Sequence, residues 1–295
     1  MTDKILVAHD GPVTTITINR PQVRNALDRE AATALRDALR QFDEDPDARV
    51  AVLTGAGGAF CSGADLKELA TGTQYEPWAG SADGPLHAPL DKPVIAAVTG
   101  VACAGGLGVA LWCDLRVGDP SAKFAVLSRR WGVPMSDGTT VRLPRIVGMG
   151  HALDMLLSAK VVEAEEALRI GLITRLAAPG QAVAEAQQLA RTIAAFPQIA
   201  MGSDRRSAYE QWDLAEAAAI ANELAHSVEA RRREAVAGAQ RFAAGEGRHG
   251  VVAGGAAGEG AQGRDAGGRA PEGDRAHDRG SAEGGPVGAA PREGA

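Results

Sequence analysis

The sequence predicts an α/β fold with buried strands, followed by a wholly helical segment. Three observations predict it. Short β-branched runs lead into turns of small residues at Val50–Thr54 with Gly55-Ala56-Gly57-Gly58, and again at Val94–Val98 with Gly100–Gly108. A strand, a glycine turn and a helix, repeated, is the pattern of strands covered on both faces. From about Ala182 the apolar spacing becomes helical throughout. The composition agrees, because 45% hydrophobic and 23% charged residues over 295 positions allow one large core or two ordinary ones.

Taken in order, Ile5–Ala8 and Val13–Ile18 read as strands joined by Asp10-Gly11-Pro12, which is hairpin chemistry. Arg20-Pro21 ends the second strand, since proline cannot donate to a ladder. Asp28 stands where an N-cap belongs, ahead of an Ala/Leu/Arg-rich helix to about Phe42. After the strands at Val50–Thr54 and Val94–Val98, an apolar helix runs from Val109 to near Asp114, and short strands follow at Leu115–Val117 and Lys123–Val126. Helices are expected over Ala182–Ala195, Ile199–Glu210 and Leu214–Ala244. The chain divides on this reading into a core over 1–181, a helical region over 182–249 and a Gly/Ala-rich tail over 250–295. Residues 245–295 hold 16 of the 37 glycines, three valines and no Leu, Ile, Met, Phe, Tyr or Trp. So little apolar surface cannot offset a backbone entropy of about 1–2 kcal/mol per residue. The tail is expected to be disordered, with a linker to a further partner as the alternative.

Several function classes are excluded. Thirty-one basic against 37 acidic residues leave a net charge of −6, which offers no footprint for nucleic acid or an anionic membrane. No apolar run approaches the roughly 20 residues of a membrane span. Met1–Asp10 lacks a basic-then-apolar leader, so the cytoplasm is the expected compartment. Cys61, Cys103 and Cys113 form no CxxC pair and are expected to be reduced, partly buried side chains, and the six histidines are scattered without metal-ligand spacing. The turn after Thr54 lacks the third glycine of a dinucleotide fingerprint, because Phe60 occupies its place. A phosphate-binding loop and a nucleophile elbow are also missing from the sequence.

Two glycine turns remain. Phe60-Cys61-Ser62-Gly63-Ala64-Asp65-Leu66 and Ala102-Cys103-Ala104-Gly105-Gly106-Leu107 each precede a predicted helix. A helix start carries unpaired N–H groups and partial positive charge, and small residues let a ligand approach that backbone. Two such groups facing one point would hold a developing oxyanion, worth about 10²–10³ in rate per donor. The alternative is a pair of ordinary tight turns.

These segments and their surroundings resemble the crotonase (enoyl-CoA hydratase/isomerase) superfamily, from about Val7 to His249. The likeness rests on Arg20-Pro21 with Asn25-Ala26-Leu27, on Ala59–Leu69, on Lys92–Val98 with Cys113-Asp114-Leu115-Arg116, and on Thr140–Leu143, Val147-Gly148 and Glu165–Leu172, in that order. The resemblance implies a spiral of ββα units and C-terminal helices that assemble a trimer or a dimer of trimers. It implies an acyl-CoA thioester as ligand, with coenzyme A part of the substrate and no separate cofactor. By position, the N–H groups of Ala64 and Gly105 would grip the thioester carbonyl. Ser62 and Ala64-Asp65-Leu66-Lys67 would line the substrate, and Arg24 to Ala26 would lie near the CoA nucleotide.

The departures from that pattern bear on mechanism. The two glutamates of the hydratases fall on Gly108 and Ser128 in this sequence. A positioned acid or base contributes about 10²–10⁴, and neither residue supplies one. Restoring glutamate at 108 is therefore expected to raise hydration if the pocket is otherwise competent. Asp137 sits one residue past the place where some dienoyl-CoA isomerases of the superfamily keep an aspartate, which aligns with Ser136. Catalysis and helix N-capping are its two candidate roles. Arg129 and Arg130 are candidates for CoA phosphates or for a subunit surface, and Asp114 for a structural role. The functional expectation is an enzyme of the hydratase/isomerase type that stabilises an enolate, the alternative being a weakly active or non-catalytic acyl-CoA-binding protein with the same fold.

Overall fold

The computed structural model describes residues 3–72, 84 and 86–246, all within one compact unit. The tail from 250 onward lies outside the described residues. Strand β1 (Ile5–Asp10) pairs antiparallel with β2 (Val13–Ile18) through the turn at Gly11-Pro12. Helix α1 (Arg29–Glu44) starts where Asp28 accepts the N–H of Ala31 at 2.8 Å, as the sequence predicts, and buries Leu35, Leu39 and Phe42. Then follow β3 (Val50–Gly55), the single-turn helix α2 (Leu66–Leu69), β4 (Val94–Val98) and β5 (Val101–Cys103). Helix α3 spans Gly105–Trp112, four residues earlier in its start than the apolar run at Val109 suggests. Three of its first four residues are glycines, which carry no periodicity to read. Next come β6 (Leu115–Gly118), β7 (Lys123–Ala125), α4 (Thr139–Ser158, broken at Gly148), β8 (Val161–Glu163), α5 (Ala164–Arg169) and β9 (Arg175–Leu176).

Strands β1, β2, β3, β4, β6 and β9 form one sheet in that order, parallel except for the first pair. Both faces are buried, which explains the near-continuous apolar strands. Ile16, Ile18, Leu53, Ala96 and Val98 face the main core with α1 and α3, while Val13, Val50, Val52, Ile95 and Val117 face the other way. Helix α6 (Ala182–Ala194) covers that second face with Ala186, Leu189, Ala190 and Ala194.

A second, narrower layer repeats the order of the first. Leu27 bridges Ala64, Cys61 bridges Ala102 of β5, β5 runs parallel to β7, and β7 pairs antiparallel with β8. Each turn of the chain thus leaves a long strand in one sheet and a short extended piece in the other, which makes a spiral. Helices α7 (Gln198–Glu210), α8 (Glu216–Ala230) and α9 (Val236–Ala243) complete the described chain. Among the described residues, no helix is long and apolar enough to cross a membrane.

Candidate functional site

The short layer carries the site. A cavity of about 630 Å³ opens beside it, walled by Arg24, Ser62, Ala64, Gly105, Ser128 and Asp137 together with apolar side chains. Residues more than 110 positions apart in the chain therefore share one wall.

The two glycine turns meet backbone to backbone. A Cβ on Gly63 would lie 2.8 Å from the Gly105 nitrogen, and one on Gly106 would lie 2.0 Å from the Cys61 carbonyl oxygen. The small residues predicted to admit a ligand here first admit each other, which brings Ala64 alongside the start of α3. Ala104 turns the chain into α3 at φ 50° and ψ −121°, a conformation that favours glycine, so the turn stores strain at the cavity wall. Leu27 donates to the Gly63 carbonyl and the Asp65 N–H to Leu27, so the bridge leaves the intervening Ala64 N–H out. Among the described residues, neither the Ala64 nor the Gly105 N–H has a hydrogen-bond partner. Two unengaged donors on one wall, one of them opening a helix, suit an oxygen that carries negative charge.

Asp137 is the one carboxylate on the wall among the described residues. It is only 5% exposed, and that burial pushes its pKa above the ordinary carboxylate range. Its Oδ1 accepts the N–H of Thr139, the first residue of α4, at 3.0 Å, whereas the N-cap position expected for Asp137 is taken by Gly138. Its backbone carbonyl accepts from Arg142 at 3.0 Å, while the other arm of that guanidinium reaches the Leu86 carbonyl at 2.7 Å. Ser136 lines the cavity beside it.

Of the two positions that the resemblance aligns with glutamates, Ser128 lines the cavity and Gly108 does not. The Ser128 hydroxyl is buried and donates to the Met135 sulfur at 3.3 Å, so it is engaged with a soft acceptor and faces no carboxylate. Gly108 lies against Asp137, and a Cβ there would come within 2.4 Å of the Asp137 carboxyl carbon. The gain expected from a glutamate at 108 depends on a competent pocket, and here the Asp137 carboxyl stands against that position. The space that its side chain needs is filled by the carboxyl already present.

Arg24, Ser62, Ala64, Leu66 and Gly105 stand on the cavity wall, whereas Ala26, Asp65 and Lys67 do not. Asp65 caps α2 through the Lys67 N–H at 3.1 Å and pairs with Arg20 at 3.0 Å. Arg20 also pairs with Asp28 at 2.9 Å and donates to the Ala26 carbonyl, so Asp65 and Ala26 belong to a frame around the site. Lys67 is exposed on α2. Asn25, at φ 57°, accepts from the Arg20 N–H at 2.8 Å and donates to the carbonyls of Ala56 and Ala59, which ties the Arg24 loop to the turn after β3. Arg129 and Arg130 are exposed, and Arg129 donates to the Leu156 carbonyl at 3.3 Å.

Cys103 lines the cavity, a placement with no signal in the sequence. All three cysteines are buried and unpaired, and burial raises each thiol, that of Cys61 to about 12. Trp131 and Met135 also reach the wall, from the segment between β7 and α4.

Fold and wall together define a two-layer α/β spiral whose cavity pairs unengaged backbone N–H groups with one buried carboxyl. Comparison with known proteins places it further. The family described as enoyl-CoA hydratase/isomerase matches residues 9–246. The chain is 37% identical over 212 residues to enoyl-CoA hydratase EchA19 of Mycobacterium tuberculosis, covering 70% of this chain and 80% of that one. It is 33% identical over 225 residues to a crotonyl-CoA hydratase of Syntrophomonas wolfei, covering 74% and 86%. A crystal structure of enoyl-CoA hydratase from Mycobacterium tuberculosis superposes with a TM-score of 0.77 at 34% identity, over 82% of this chain and 96% of that one. The chain belongs to the enoyl-CoA hydratase/isomerase family and has the crotonase fold.

Proposed function

We propose that the cavity binds an acyl-CoA thioester and that the protein is an enzyme acting through its enolate. The N–H groups of Ala64 and Gly105 hold the thioester oxygen, and Asp137 moves the proton at the neighbouring carbon. The carboxylate takes the α-proton, the C–H pair flows into the carbonyl, and the charge settles on the oxygen between the two donors. Return of that proton to the α carbon, or to the γ carbon of an unsaturated chain, closes the cycle. The observation that carries the reading is the shared wall: two unengaged donors and one buried carboxyl around the same cavity.

Proton relocation is favoured over water addition. Hydration needs one group to activate water and another to handle the α-proton. Gly108 bears no such group, and the Ser128 hydroxyl is directed to Met135. The same observation supports a second reading, in which the protein keeps the thioester grip and only carries its ligand. Relatives named as hydratases favour the enzyme.

Incubation with a 3-enoyl-CoA, whose α carbon carries the proton that Asp137 would take, and with crotonyl-CoA and longer 2-enoyl-CoAs, followed by the change in conjugated-enoyl absorbance and by uptake of solvent deuterium at the α carbon, decides between them. Turnover or exchange that falls about 10²-fold or more in Asp137→Asn is the expected result. Calorimetric binding without either signal would establish the carrier reading.

A further inference from the structure

Gly108 lies within α3 and Asp137 just before α4, so only the fold brings them together. A Cβ built on Gly108 would stand 2.4 Å from both Cγ and Oδ2 of Asp137, and 2.9 Å from Oδ1. Side-chain carbons do not tolerate such distances, so the carboxyl occupies the volume that any side chain at 108 needs. It is held there from other sides. The Thr139 N–H fixes Oδ1, and Arg142 ties the Asp137 carbonyl to that of Leu86. Gly138, which follows, is packed against the Arg142 guanidinium and sits at φ 82°. The carboxyl is thus held by one N–H and borders the cavity, so a side chain at 108 would drive it toward that space.

We infer that Gly108 is a positioning residue for Asp137, and that the two form one steric unit in which the bare backbone of α3 sets where the acid/base stands. This rests on the reading of Asp137 as the proton carrier. A glycine that looks from sequence like the loss of a catalytic group is instead the condition for the carboxyl on the opposite wall. A side chain at 108, glutamate included, displaces Asp137 and leaves the site without its acid/base in the working place.

A melting cycle and a kinetic comparison on the full chain test this. Gly108→Ala is expected to lower the melting temperature by roughly 3–6 °C, the usual scale of overpacking in a chain of this size. In an Asp137→Ala background, where the carboxyl is gone, the same change should cost no more than about 1 °C. Equal costs in both backgrounds would show that the two residues do not share the volume and would overturn the inference.

The kinetic arm uses crotonyl-CoA and a 3-enoyl-CoA in deuterated buffer, with α-carbon exchange read by mass spectrometry. Gly108→Ala should lower kcat at least about tenfold, with KM within about twofold, because a displaced acid/base is missed chiefly in the transition state. The pH–rate limb that disappears in Asp137→Asn should shift in Gly108→Ala, a change that a loss of packing alone does not produce. Wild-type kcat and an unshifted limb in Gly108→Ala would overturn the positioning role. Exchange that survives Asp137→Asn at the wild-type rate would instead overturn the proton-carrier reading, while the melting cycle still decides the shared volume.

Discussion

Asp137 shows how much one residue's chemistry depends on neighbours far away in sequence. Its carboxyl is pressed against Gly108, hydrogen-bonded by the Thr139 N–H and removed from water, and the last of these raises its pKa. A raised carboxylate pKa means that the folded chain holds a proton that the unfolded chain has released. Stability is then fully present below the unfolded pKa of about 3.9 and is lost as pH rises through the folded value. Thermal melts across that window should show this decline in the wild type and not in Asp137→Asn, where the group no longer titrates. Parallel curves for the two proteins would mean that the carboxyl is solvated like any surface aspartate. The same direction predicts that α-proton removal weakens below the raised pKa, since only the carboxylate form is a base.

At the scale of elements, Asp114 joins α7 to the sheet. It accepts from the Val94 N–H at 2.7 Å, from Arg205 Nε at 2.7 Å and from the Tyr209 hydroxyl at 2.7 Å, with the Arg205 pair only 14% exposed on each side. Burial, and then the charge of Asp114 and the bond to it, push the Tyr209 hydroxyl well above its ordinary pKa. Asp114→Ala strips the partner from a mostly buried guanidinium, a phenol and a strand N–H at once, and should cost about 3 kcal/mol in chemical denaturation. Arg205→Ala leaves Asp114 with two of its donors and should cost clearly less. A larger loss for Arg205→Ala would mean that the guanidinium's packing, not the carboxylate hub, holds α7. The structural role read for Asp114 from sequence is of this kind. Arg116 performs a related task inside the core, where it is 5% exposed and its guanidinium donates to the carbonyls of Cys113 at 2.8 Å and Leu172 at 2.7 Å. It thereby satisfies the end of α3.

For the whole molecule, the described unit leaves apolar side chains uncovered. Ile220, Leu224 and Val228 recur every four residues on α8 and are 60%, 55% and 59% exposed, and Met149, Leu153 and Leu157 do the same on α4. Such stripes in a single copy are the usual mark of a contact surface. They support self-association, and the trimer or dimer of trimers is what we propose from the resemblance. Leu224→Lys should therefore reduce the mass seen by light scattering to that of a smaller species, with the circular dichroism of the unit retained. An unchanged mass would remove α8 from the assembly contact.

Much of the fold was legible from residues alone. The hairpin at Gly11-Pro12, the Asp28 cap, the buried strands at 50 and 94 and the helices after 182 each carry a local signal, because turn chemistry, capping and periodicity act within a few residues. The order of family motifs added the cavity-lining Ser62, Ala64 and Gly105. The start of α3 was not legible, since glycines have no hydrophobic pattern, and the framing roles of Asp65 and Ala26 were not either, since each depends on Arg20 from another part of the chain.

What the sequence by itself determined is the list of chemical groups: two glycine turns able to present N–H donors, one surviving acid near position 137, and no glutamate at 108 or 128. Only the tertiary structure decided what those groups mean to one another. The spiral stacks α3 against the segment before α4, so the empty place at Gly108 and the carboxyl of Asp137 fall on the same volume. Two atoms excluding each other from one space is a contact between distant residues, and no local pattern along the chain records it.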